Sequence, residues 1–116
     1  MSRNVLVINL NREPEFQPLL EGPPKTCGMR SGRVFLKPGQ SIGLHSTHAH
    51  EEILVFLAGS GHAVIGPNET SYEIGAGKVI YIPPHTIHNM KNTGTEPLEY
   101  IFCVAPIHEN EDKKHE

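Results

Sequence analysis

Turn-forming residues interrupt this chain so often that no window of ten residues can be read as a helix. Pro38-Gly39, Gly59-Ser60-Gly61, Gly66-Pro67-Asn68-Glu69, Gly75-Ala76-Gly77, Pro83-Pro84 and the run from Asn92 to Pro97 each break the pattern. Between the breaks stand short runs rich in β-branched and aromatic residues: 33–37, 52–57, 62–65, 70–74, 78–82, 86–91 and 98–104. Residues 42–49 also read as extended, and 52–57 is apolar enough to read as a fully buried strand. Short strands at even spacing predict an all-β chain folded as a small barrel or sandwich.

Three segments follow. Residues 1–32 contain a predicted strand, Asn4 to Leu10, and then an arm carrying Pro14, Pro18, Pro23 and Pro24 that reads as an ordered loop packed on the barrel. Residues 33–105 form the barrel. Residues 106–116 are charged and nearly devoid of apolar side chains, so a disordered tail is expected. Hydrophobic residues at 37% and charged residues at 20% are adequate for one core. A net charge of -3 favours neither a nucleic-acid backbone nor an anionic membrane surface. Cys27 and Cys103 fit no zinc or redox spacing and read as two thiols of a reducing compartment. Val5-Leu6-Val7-Ile8 is too short for the apolar core of a signal peptide, so the chain reads as cytoplasmic.

The densest chemistry lies in Gly43-Leu44-His45-Ser46-Thr47-His48-Ala49-His50-Glu51-Glu52. Imidazole and carboxylate are the usual ligands of Zn, Mn, Fe and Ni. On an extended strand alternate side chains share a face, which would bring His48, His50 and Glu52 together. His45 is out of phase and needs a bulge or corner to join them. A solvated polar loop is the plain alternative.

Two motifs then resemble those of the cupin superfamily, of the small single-domain, conserved-barrel type. The family's first motif closes with Glu, six residues and Gly, as Glu52 and Gly59 do; its preceding His-x-His falls on His45 and Thr47 in one register and on Ser46 and His48 in the other. Its second motif, Gly-x5-Pro-x-Gly-x2-His-x3-Asn, is met by Gly77, Pro83, His88 and Asn92, with His85 in place of the middle Gly. The resemblance implies a double-stranded β-helix, or jelly-roll, cupin barrel with one divalent metal in its mouth. It implies Glu52 and His88 as ligands in either register and His45 and His48 in one register each. His50 has no counterpart but stands on the Glu52 face.

By the same resemblance the chain is expected to be a metal-dependent enzyme of the dioxygenase or sugar/keto-acid isomerase type, acting on a small molecule. The alternatives are a non-catalytic metal or small-ligand binding module, and a cupin that has lost its metal. Leu54, Phe56, Ile80 and Ile82 are expected to line the pocket, with His85, His50 or Glu51 as a general base. His85 otherwise reads as an exposed turn residue. His62, His108 and His115 read as solvent-facing, and Tyr72, Tyr81 and Tyr100 as packing residues. The N-terminal strand and arm suggest a homodimer.

Overall fold

The structure is a computed structural model that describes residues 3–108. Those residues contain nine strands and no helix: β1 (Gln17–Glu21), β2 (Arg30–Leu36), β3 (His45–Ser46), β4 (His50–Ala58), β5 (Ser60–Ile65), β6 (Thr70–Gly75), β7 (Val79–Ile82), β8 (Ile87–Lys91) and β9 (Leu98–Pro106). They form a five-stranded sheet in the order β1-β2-β9-β4-β7 and a four-stranded sheet in the order β3-β8-β5-β6. All pairings are antiparallel. The arrangement is a jelly roll, as the resemblance implies, and fits the small barrel or sandwich that the spacing of the turns predicts.

Residues 4–10 form no strand. Val5 and Val7 are 91% and 90% exposed. The strand of this region comes instead from within the proline-rich arm: β1 pairs along β2 and so takes the edge that residues 4–10 would need. Pro18 is tolerated there because β1 is an edge strand, with a register shift between Pro18 and Leu20. The arm is fixed by Arg33, which is buried and donates hydrogen bonds to Asn11 Oδ1 and Glu13 O at 2.8 Å and to Glu99 Oε1 at 3.0 Å. The expected disordered tail lies outside the described residues from position 109 onward; Pro106 itself closes β9.

β4 alternates between buried and exposed along its length. The expectation of a fully buried strand is therefore corrected: Glu52, Leu54 and Phe56 face inward, while Ile53, Val55 and Leu57 are exposed on the outer face of the sheet. Inside the barrel, Val34, Leu36, Leu54, Phe56, Ile82, Leu98 and Tyr100 meet Ala63, Ile74 and Met90 of the opposite sheet. Each large side chain buried this way contributes about 1.5–3 kcal/mol, enough to hold two small sheets face to face.

Gly59 turns the chain from β4 into β5 at φ 84°, and a Cβ there would stand 2.2 Å from the Pro97 carbonyl oxygen. Asn92 has a structural role, its amide donating at 2.9 Å to the carbonyls of both Leu36 and Glu96. The core fills one part of the barrel, and the remainder is an open cavity.

Candidate functional site

The cavity has a volume of about 550 Å³, within the range of small-molecule sites. His45, His48, His50, Glu52 and His88 all line it. They arrive from different directions. His50 and Glu52 are successive inward positions of β4. His88 is one of two inward residues of β8 in the opposite sheet, with Met90, and His45 of β3 is its cross-strand partner. The phase problem of His45 is thus resolved by its standing in a different sheet from Glu52.

His48 precedes β4 in the left-handed region at φ 52°, which breaks the alternation between it and His50. The bend is tied down from below: the His48 carbonyl accepts from the His85 amide at 2.8 Å, and the hydroxyl of buried Thr47 donates to Pro83 O at 2.8 Å.

Glu52 Oε1 and His88 Nε2 approach to 3.1 Å across the barrel. The opposite ring nitrogen, Nδ1, lies 3.0 Å from the carbonyl oxygen of Thr86. A carbonyl only accepts, so Nδ1 carries the hydrogen and the neutral ring presents a lone pair at Nε2. That nitrogen is buried, and among the described residues the Glu52 carboxylate is the one polar group the structure sets against it. A lone pair facing a carboxylate oxygen at this distance calls for a cation between them or a proton on the ring. Burial acts to lower the His88 pKa, but the Glu52 carboxylate and the Thr86 carbonyl outweigh it, and the pKa is raised above its ordinary value.

His45 repeats the pattern. Its Nδ1 lies 2.8 Å from Gly43 O, and its ring sits 4.0 Å from that of His88. Among the described residues no three His, Cys, Asp or Glu side chains already stand as a chelating group. The donor set itself fits a divalent metal, since Nε2 of His88 is an unsatisfied donor atom beside an acidic oxygen and its tautomer is fixed by a backbone carbonyl.

Several expectations are corrected. Of the four apolar residues expected to line the pocket, only Leu54 does. Phe56 and Ile82 belong to the filled core and Ile80 packs against it. Glu51 lies on the outer phase of β4, where it accepts a hydrogen bond from the Tyr81 hydroxyl at 3.0 Å. His85 is exposed at its turn and does not line the cavity, so His50 alone of the three candidate bases does. His62 is half-buried and bonded through Nδ1 to the Thr93 hydroxyl at 2.7 Å, whereas His108 is exposed; His115 lies outside the described residues.

Sequence reasoning missed Phe16, Phe102 and Arg30 as cavity residues, while Tyr100, read as a packing residue, both packs in the core and lines the cavity. Burial, and secondarily the Glu52 carboxylate, push the Tyr100 hydroxyl far above its ordinary range, so it is a fixed donor. Phe16 and Phe102 stack with ring centres 6.3 Å apart. Gly32 makes room for both: a Cβ there would stand 2.6 Å from the Phe16 ring. No motif signals these residues, because the arm and β9 meet only in the fold.

The family model of the Cupin domain matches residues 32–104. An uncharacterized protein of Methanocaldococcus jannaschii is 35% identical over 74 residues, covering 64% of this chain and 58% of that protein. An oxalate-binding protein of Thermotoga maritima is 36% identical over 72 residues, covering 62% of this chain and 58% of that protein. The matches thus span little more than half the length of these relatives. Among solved structures, an uncharacterized protein of Klebsiella pneumoniae with a double-stranded β-helix domain superposes with a TM-score of 0.70 at 26% identity, over 86% of this chain and 78% of that one.

Proposed function

The chain belongs to the cupin family, and from that membership we propose that it binds one divalent metal and a small-molecule ligand in the mouth of its barrel. The observation that carries the reading is the buried Nε2 of His88 held 3.1 Å from the Glu52 carboxylate, from the opposite sheet. Glu52, His88 and His45 would hold the metal, with His48 or His50 supplying a further donor. Zn, Mn, Fe and Ni all accept such a mixed shell. A bound metal would supply Lewis-acid polarisation of a ligand oxygen.

The chain's own residues do the rest. Thr86 and Gly43 fix the tautomers of His88 and His45, and Leu54, Met90, Phe16 and Phe102 give the cavity an apolar wall. His50 is the cavity residue available to move a proton if the ligand is turned over, by the dioxygenase or isomerase chemistry that cupins support. Non-catalytic binding is the second reading, favoured by the oxalate-binding relative.

The test is thermal unfolding of chelator-treated protein with each metal added in turn. A ligand present at a thousandfold excess over its Kd should stabilise the fold by about 4 kcal/mol. An unchanged transition with every metal would overturn the reading.

We also propose a homodimer. Val5 and Val7 are almost fully exposed, and Ile53, Val55, Val79 and Tyr81 present further apolar surface on the outer face of the five-stranded sheet. A second copy docking residues 4–10 would cover both.

A further inference from the structure

Among the described residues, Arg30 is the one side chain of Lys or Arg type that lines the cavity. Its position is set by register. Arg30 pairs with Val104, and Val104 pairs with Glu52, so the three residues form one row across β2, β9 and β4 and project from the same face of the sheet. Two inter-strand spacings separate Arg30 from Glu52, about 10 Å between backbones. Val104 lies between them, and the apolar side chains of Val34, Leu54 and Phe102 border the same space.

The guanidinium side chain rests over Gly22, where a Cβ would stand 3.1 Å from its Nε. Among the described residues Arg30 takes part in no side-chain hydrogen bond or ion pair, although Glu21 is its cross-strand neighbour. This contrasts with Arg33, whose guanidinium is fully engaged by the arm and Glu99. The fold therefore supplies a free anion-binding fork at one end of an apolar trough whose other end is the Glu52–His88 pair.

We propose that Arg30 is the anion anchor of the cavity, and that the ligand is a monocarboxylate with an apolar body that spans from Arg30 toward Glu52 and His88. This rests on the reading that the cavity is a ligand site. Size supports it as well as charge. The 550 Å³ cavity lies in the range that holds ligands with a sizeable apolar body. A guanidinium matches a carboxylate with two parallel hydrogen bonds, which a lysine ammonium cannot reproduce.

The experiment is calorimetric titration of metal-supplemented protein with phenylacetate, phenylacetamide, benzyl phosphate and oxalate. It is made on the parent chain, Arg30→Gln and Arg30→Lys, with metal content measured on each sample. Phenylacetate should bind the parent more tightly than oxalate or benzyl phosphate. It should weaken about tenfold or more in Arg30→Gln and recover in part in Arg30→Lys, with phenylacetamide indifferent to all three. Phenylacetate that fails to bind the parent, or binds Arg30→Gln equally well, would overturn the proposal. A preference for oxalate or benzyl phosphate would overturn the ligand class. Arg30-dependent binding in a chain that takes up no metal would leave this proposal standing and remove the metal reading; metal uptake with Arg30-independent binding would do the reverse.

Discussion

His45 and His88 are cross-strand partners whose rings lie 4.0 Å apart at a tilt of 60°, and each has its Nδ1 tied to a backbone carbonyl. The two imidazoles stand side by side on neighbouring strands of one sheet, and His88 meets the Glu52 carboxylate of the other. Nothing in the core requires this arrangement. It is the arrangement that a shared cation would organise.

Alanine substitution of the histidines should therefore separate them by role. His45→Ala is expected to lower metal affinity at least tenfold, about 1.4 kcal/mol. Of His48→Ala and His50→Ala, one should produce a comparable loss and the other little change. Competition titrations against a chromophoric chelator measure this directly. No loss in any of the three would contradict the proposed shell.

In metal-free protein the raised pKa of His88 gives stability a pH dependence. The folded chain holds the His88 proton more tightly than the unfolded chain does at its ordinary value of about 6.5. The ion pair with Glu52 thus contributes fully below about pH 6.5 and is lost as pH rises through the folded value. Glu52→Gln should flatten this dependence. Metal affinity should run the other way, rising with pH, because a proton on Nε2 excludes the metal. Parallel melting profiles for the parent and Glu52→Gln between about pH 5 and pH 9 would refute the assignment.

Arg33 joins the N-terminal arm to the barrel. Arg33→Met keeps most of the buried volume but removes the donor to Glu13 O and Glu99 and one of the two donors to Asn11 Oδ1. The expected cost is about 2–3 kcal/mol in urea unfolding, together with faster proteolysis within residues 3–16. A change below about 0.5 kcal/mol would show that the arm is held by other contacts.

The proposed dimer is tested by placing charge on the exposed strip. Val5→Asp combined with Val7→Asp should shift the sedimentation mass from two chains to one without lowering strand content by circular dichroism. A parent chain that sediments as a monomer at every concentration would exclude the interface.

How much of this was legible in the sequence can be traced residue by residue. The turns at Pro38-Gly39, Gly59 and Pro83-Pro84 marked strand ends by local chemistry alone, which gave a small barrel or sandwich; the jelly roll came from the resemblance to cupins. Glu52 and His88 stood at motif spacing, and the structure brings them into contact. His45 was misphased only because strand periodicity presumes one continuous strand, whereas β3 and β4 belong to different sheets. Residues 4–10 had the composition of a strand, but the edge beside β2 is taken by Gln17–Glu21, which Pro18 disguised. Arg30, Phe16 and Tyr100 reach the cavity through long-range pairing, which no local pattern records.

The most direct test of the account is elemental analysis of the purified chain beside Glu52→Gln and His88→Ala. The account predicts about one equivalent of a transition metal per parent chain, retained after dialysis, and a marked loss in both variants that remain folded by circular dichroism. A parent chain that carries no metal and takes up none on reconstitution, or variants that hold it as tightly as the parent, would contradict the claim that Glu52 and His88 form a metal site.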